Sequence, residues 1–274
     1  MRETFQIDVR RACRLAGLSR AAWYRQSTAK DQSALRLRIR DLALARPRFG
    51  YPRLLILLQR EGWRVGKTRV YRLYRLEGLQ VRRRPVRRRK FGVPERSPGP
   101  APTAAGQRWS MDFVHDQLLD GQWFRILTVV DQWSRESPLL EARRSFTGRD
   151  VVAALERVRL TSGLPQTITL DHGTEFVSRA VEAWAFYRGV TLEFSRPGKP
   201  TDNAHIESFN GKLRDECLNV QPFASVLSAQ EQLDRWRQDY NQHRPHSSLG
   251  HLTPSEFART GQNNPRPRPR TFSV

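Results

Sequence analysis

The sequence predicts an α/β protein: a five-stranded mixed sheet with flanking helices, preceded by an all-α region. Three observations carry this. Up to about residue 81, apolar residues recur at helical spacing between glycine stops. From Trp109 onward, short β-type runs interleave with helical ones. Between them, residues 82–108 lose all periodicity.

Element by element, Val9–Ala16 reads as a helix ended by Gly17, and Ser19 is placed to cap a second helix through about Arg25. Helix, glycine turn and capped helix together make a helix-turn-helix pattern. A second helical set follows at Ser33–Ala45, Pro52–Arg60 and Lys67–Glu77, ended by Gly78. Its last helix presents Lys67, Arg69, Arg72 and Arg75, suited to phosphates or a major groove. Residues 82–108 open R-R-R-P-V-R-R-R-K, in which Arg82, Arg83, Arg84, Arg87, Arg88, Arg89 and Lys90 are cationic. This reads as a flexible linker able to lie along a DNA backbone. Strands are expected at Trp109–Gln117, Trp123–Val130 and Ser137–Glu141, with a hairpin at Leu119–Gly121. A helix at Thr147–Leu160, a buried strand at Gln166–Leu170, a helix at Phe176–Tyr187 and a strand at Val190–Phe194 come next. A Pro/Gly loop, Ser195–Pro200, leads into helices at Thr201–Cys217 and Leu227–Asn241. The order β-β-β-α-β-α-β-α is that of a ribonuclease-H-like core. The division expected is 1–81 helical helix-turn-helix region, 82–108 linker, 109–259 core and 260–274 disordered basic tail.

Composition narrows the function. Lys plus Arg number 48 against 27 acids, a net charge of +21 over 274 residues, which marks a polyanionic partner. No apolar run reaches spanning length, and residues 1–10 show no signal-peptide pattern. The expectation is a cytoplasmic, nucleoid-associated protein acting on nucleic acid, with no membrane. Cys13 and Cys217 form no metal-spaced pair, and no His precedes His115, so the helical region holds no His/Cys zinc module.

Three acids stand in distinctive strings: Asp112 in R-W-S-M-D-F-V, Asp171 in I-T-L-D-H-G-T-E-F, and Glu207 in T-D-N-A-H-I-E-S-F-N-G-K-L-R. Asp112 falls inside the first strand and Asp171 at the end of the fourth. With those strands adjacent, both emerge at one sheet edge. On the following helix Asn203, Glu207, Asn210 and Arg214 share a face and form a polar stripe. Three carboxylates offer hard oxygen ligands suited to Mg²⁺ or Mn²⁺, two ions per site. Two such ions clamp the attacking and leaving oxygens of an in-line phosphoryl displacement. Asp120 is explained by its turn, and Asp131 reads as a turn residue or a support to the site. Lys212 and Arg214, with Arg196 and Lys199 on the preceding loop, are expected to neutralise nearby phosphates, and Asn203 and Asn210 to contact DNA.

From about Trp109 to Phe257 the chain resembles the integrase core of bacterial insertion-sequence transposases, in particular the OrfB-type subunit of elements with two overlapping frames. The strings that carry the resemblance are W-S-M-D-F-V, D-H-G-T-E-F, S-R-P-G-K-P-T-D-N-A-H-I-E-S-F-N-G-K-L-R-D-E-C-L and Y-N-Q-H-R-P-H-S-S-L-G-H-L-T-P-S-E-F. The region from Leu35 to about Arg84, with its R-F-G-Y-P-R, is similar to the helix-turn-helix segment that precedes such cores. The resemblance implies a DDE site at Asp112, Asp171 and Glu207, with Arg214 contacting DNA. It implies cleavage and strand transfer on double-stranded DNA, both element ends and target, by a homo-multimer. It also implies the upstream-frame OrfA product as a partner, free or fused. His172 varies among relatives, and a role shaping the turn is favoured over contact with the scissile phosphate. Tyr240–Gly250 reads as a structural cap with some DNA contact. Pro245 argues against a zinc site at His243 and His246. Two alternatives stand beside this reading: an inactive relative acting as a DNA-binding regulator, and a ribonuclease-H-type nuclease.

Overall fold

The computed structural model describes residues 7–25, 31–81, 101–196 and 203–260. Two short helices, α1 (Val9–Leu15) and α2 (Arg20–Tyr24), open the chain, and the Ser19 hydroxyl caps α2 by accepting from Ala22 N. Helices α3 (Ser33–Ala45), α4 (Tyr51–Arg60) and α5 (Lys67–Leu76) then pack around Leu35, Ile39, Phe49, Leu54, Leu58, Val70 and Leu73. Lys67, Arg69 and Arg72 stay exposed on α5, and the guanidiniums of Arg69 and Arg72 both face the Gln32 amide at 3.4 Å. Arg82, Arg83, Arg84, Arg87, Arg88, Arg89 and Lys90 lie outside the described residues, as does the tail from 261.

The sheet holds β1 (Arg108–Gln117), β2 (Trp123–Asp131), β3 (Leu139–Arg143), β4 (Thr167–Leu170) and β5 (Thr191–Phe194) in the order β3-β2-β1-β4-β5. β1–β2 and β2–β3 are antiparallel, and β1–β4 and β4–β5 are parallel. Period-two alternation divides β1 between two cores. Trp109 and Met111 join α6 (Gly148–Ser162) and α7 (Arg179–Arg188) on one face. Val114 joins α8 (Ala204–Leu213), a π-helical turn (Arg214–Leu218) and α9 (Val226–Gln242) on the other. Asp112 has the parity of Val114 and therefore faces α8.

Two boundaries and two added elements differ from expectation in ways the packing explains. β3 begins two residues late because Ser137 is held in a turn, its N–H donating to Asn241 Oδ1 and its carbonyl accepting from Asn241 Nδ2, both at 2.9 Å. α7 begins at Arg179 because Phe176 is a fully buried plug in the preceding turn and Ser178 supplies the cap. Beyond α9, a 3₁₀ turn (Ser247–Leu249) and α10 (Pro254–Thr260) add a small core of Trp133, Leu249 and Phe257 that the sequence reading had not assigned to elements.

Edge strand β3 is covered by α9. The Gln230 side-chain amide accepts from Ala142 N (2.7 Å) and donates to Leu140 O (3.1 Å). One close approach depends on a glycine. A Cβ at Gly148, the first residue of α6, would stand 1.9 Å from Ser178 Oγ and 2.7 Å from Ser178 Cβ. Gly148→Ala is therefore expected to cost about 1–3 kcal/mol through overpacking. A fall in urea midpoint at constant m-value would show it, and an unchanged midpoint would count against this tight fit.

Candidate active site

The sheet register brings the first two carboxylates level. Ser110 pairs with Thr169 across β1–β4, so two residues on, Asp112 stands opposite Asp171, just past the end of β4. The Asp112 backbone is held by β2, where Thr128 Oγ1 donates to Asp112 O at 3.0 Å. Its carboxylate accepts from Phe113 N (2.7 Å) and from Asn210 Nδ2 of α8 (2.8 Å). Glu207 lies one turn before Asn210 on the same helix and is exposed. Asp171 is also exposed, and its Oδ1 accepts from Gly173 N at 3.0 Å. A side chain at Gly173 would crowd that same oxygen, at 3.1 Å from the Cβ.

Burial pushes the Asp112 carboxyl up to about 6, its bond to Phe113 N opposes this, and the nearby charges of Asp171 and Glu207 raise it further. The three acids thus share one electrostatic field. Among the described residues, however, no group of three His, Cys, Asp or Glu side chains is drawn together closely enough to hold a metal ion. The donor set fits a hard divalent cation in its chemistry. It consists of carboxylates in mutual repulsion, with the buried Oδ1 atoms of Asn203 and Asn210 unpaired among the described residues.

The raised Asp112 pKa gives a signed prediction. The folded state holds this proton more tightly than the unfolded chain, whose Asp titrates near 3.8. Metal-free stability from this group is therefore greatest below about pH 4 and falls as pH rises toward 6. At neutral pH the charged form costs about 3 kcal/mol. Asp112→Asn is expected to raise the denaturant midpoint relative to the parent at pH 7.5, but not at pH 4. An equal gain at both values would refute the assignment.

The remaining site candidates are distributed unequally. Arg214 extends along β1, its Nη2 donating to His115 O at 3.0 Å. Arg196 is exposed just beyond β5, and Lys199 lies outside the described residues. Asn203 and Asn210 were expected to meet DNA, but the helix turns both inward, and Asn210 holds Asp112 instead. Lys212 was expected beside the phosphates at the carboxylates. It projects to another side of α8, where its ammonium donates to Ser208 O and Oγ, both at 2.7 Å. Burial there, reinforced by Arg244, pushes its pKa down to about 8. His172 packs its ring 5.2 Å from that of Phe194.

Sequence reasoning passed over Glu175 and Arg125, which form an ion pair beside the site, with the Arg125 guanidinium 4.1 Å over the Phe113 ring. Their opposite charges were the only sequence signal, and two strings 50 residues apart gave no reason to join them. Asp131 is a turn residue: Oδ1 accepts from Trp133 N and Ser134 N, and Oδ2 from Gly106 N.

Comparison with known proteins places this geometry. Integrase core domain models match residues 102–200 and 188–254, and an HTH-like domain model matches 29–90. The HTH-like match thus falls on the second helical set, α3 to α5. The chain is 46% identical to the insertion element IS407 uncharacterized 31.7 kDa protein of Burkholderia multivorans, covering 94% of this chain and 93% of that one. It is 43% identical to the insertion element IS476 uncharacterized 39.2 kDa protein of Xanthomonas euvesicatoria, over 96% and 77% of the two chains. With transposase InsF for insertion sequence IS3A of Escherichia coli it shares 25% identity over 92% and 94%. A chain of the simian T-cell lymphotropic virus intasome in complex with PP2A regulatory subunit B56 gamma matches in fold, with a TM-score of 0.53 at 15% identity, over 86% of this chain and 80% of that one. The chain belongs to the insertion-sequence transposases, with an HTH-like domain leading into an integrase core.

Proposed function

We propose that this transposase cleaves double-stranded DNA at the ends of its element and joins the freed 3′-OH to target DNA, with Asp112, Asp171 and Glu207 as the catalytic carboxylates. The observation that carries the reading is the placement of Asp112 and Asp171 level at one sheet edge, with Glu207 of α8 near enough that both charges act on the Asp112 carboxyl, in a protein with net charge +21. In the first step a water oxygen bonds to the scissile phosphorus and the P–O3′ bond breaks. In the second, the freed 3′ oxygen attacks a target phosphorus and a target P–O3′ bond breaks. Bond count is conserved, and no protein nucleophile is needed.

Asp112, Asp171 and Glu207 would hold two divalent ions, Mg²⁺ or Mn²⁺, which when bound favour the ionised attacking oxygen and neutralise the leaving one. Asp171 and Glu207, both exposed, would close on Asp112 to hold the ions. Asn210 fixes the Asp112 carboxylate through its Nδ2–H, leaving the other acids free to adjust. Arg214, alongside β1, binds a backbone phosphate near the scissile bond and orients it. The α5 surface with Lys67, Arg69 and Arg72 contacts element-end DNA, and the cationic run from Arg82 to Lys90 lies along its backbone. Two ends must be held for joining, so the working species is a homo-multimer on DNA, with the upstream-frame product or a fusion to it as partner.

The test incubates the protein, with and without its upstream-frame product, with Mg²⁺ and a supercoiled plasmid carrying the gene's native flanks. Metal-dependent cutting and joining at the flanks is the expected result. Random nicking without joining would assign a nuclease. Specific binding by folded protein without chemistry would assign a regulator.

A further inference from the structure

Two motifs are not used by the chemistry above: R-F-G-Y-P-R (48–53) at the start of α4 and H-R-P-H (243–246) after α9. The fold brings them together. Arg244, 2% exposed, sends Nε and Nη2 onto the two carboxylate oxygens of Glu216 at 2.7 and 2.6 Å. Arg53 of α4 donates to the same carboxylate at 3.1 Å. Phe49 lies beneath three guanidiniums, those of Arg46, Arg53 and Arg244, at 5.4, 5.1 and 5.8 Å from its ring centre. Arg46 also pairs with Asp239, and Arg48 donates to Asp215 O at 3.2 Å.

The location of Glu216 gives this junction its meaning. It sits in the π-helical turn that continues α8, the helix of Glu207 and Asn210. Such turns recur where a helix is shaped for function rather than for backbone economy. A second route reaches the same helix. Arg244 stacks on Tyr240 (5.6 Å), and the Tyr240 ring meets Phe209 edge-on at 5.1 Å. Phe209 immediately precedes Asn210, whose amide holds Asp112. The helical region is therefore fastened to the C-terminal end of the very helix whose N-terminal half carries a proposed metal ligand.

We propose that Arg53, Glu216 and Arg244 form a positioning latch that fixes the HTH-like helices to α8, so that DNA held by those helices is presented to the carboxylates in register. The inference rests on the transposition reading above. None of the three residues is a catalytic residue in it, because they act through α8. The Arg53 leg is ionic and partly exposed, so it can open without unfolding either core; Arg46–Asp239 and Arg60–Glu256 also tie the helical region to the core, but neither reaches Glu216 of the turn that continues α8.

Arg53→Met keeps the aliphatic stem and leaves the Arg244–Glu216 pair intact. Arg53→Lys retains the charge. Spin labels introduced at Thr68→Cys on α5 and Glu231→Cys on α9, both exposed positions, report the spacing of the two regions without reference to activity. The native Cys13 and Cys217 are buried. The expected result is one narrow distance distribution in the labelled parent that broadens in Arg53→Met and narrows again in Arg53→Lys. In the unlabelled proteins, the maximal joining rate at saturating DNA and Mg²⁺ should fall about ten-fold or more in Arg53→Met, with half-saturating DNA within about two-fold of the parent. Arg53→Lys should recover most of that rate.

An unchanged distance distribution in Arg53→Met would overturn the latch. So would a normal maximal rate with weakened half-saturation, which would make Arg53 a plain DNA contact. A parent that neither cuts nor joins would instead remove the transposition reading, and the distance measurement would still decide whether the latch exists.

Discussion

Glu207→Gln should leave a folded, DNA-binding protein that neither cuts nor joins. Glu207 is exposed on α8 and makes none of the packing contacts of that helix, which come from Ile206, Phe209 and Leu213. The amide keeps the size of the side chain and removes its charge, so stability should change little. The loss falls on the transition-state charge stabilisation that the proposed cations would supply, worth several kcal/mol, or at least about a thousand-fold in rate at 1.4 kcal/mol per decade. Gel-shift affinity for element ends, measured beside single-turnover cleavage, separates the two effects. Retained joining in this variant would refute the role given to Glu207.

Arg244→Ala should destabilise the fold strongly, although it touches none of the apolar cores' own side chains except through stacking. It strands the Glu216 carboxylate, which is only 10% exposed, with Arg53 as its remaining ion-pair partner among the described residues. Breaking one side of a buried ion pair costs about 3–5 kcal/mol, and the stacking on Tyr240 and Phe49 is lost with it. Equilibrium denaturation should show the drop, and Glu216→Ala combined with it should cost less than the sum of the two. Additive effects would mean that the pair is not a unit.

Much of this architecture was legible in the chain. β1, β2 and β4 announce themselves because each is packed on both faces or alternates cleanly, whereas the Ser178 cap was missed because Phe176 has the spacing of a first helical residue. Asp112 and Asp171 were placeable because a strand and a strand end fix a side chain's level and face. The direction of Lys212 was not, since helical spacing gives an angle around α8 but not what stands there. That depends on Arg244, which arrives 32 residues later in the chain. The inward turn of Asn203 and Asn210 has the same origin: a polar stripe reads alike whether it faces solvent or a strand. The meeting of Phe49, Arg53 and Glu216 joins residues more than 160 positions apart, beyond the reach of any local pattern.

The glutamine that closes the rim of the sheet has a bearing on how such a protein survives in a crowded cell. β3 ends the sheet on one side, and a naked outer strand is a template onto which a neighbouring chain can add its own. Gln230 occupies that template with a single side-chain amide, taking up Ala142 N and Leu140 O as a passing strand would. The assembly on DNA proposed above is thereby steered away from sheet extension, and α9 acts as a guard against that mode of self-association as well as a wall of the core.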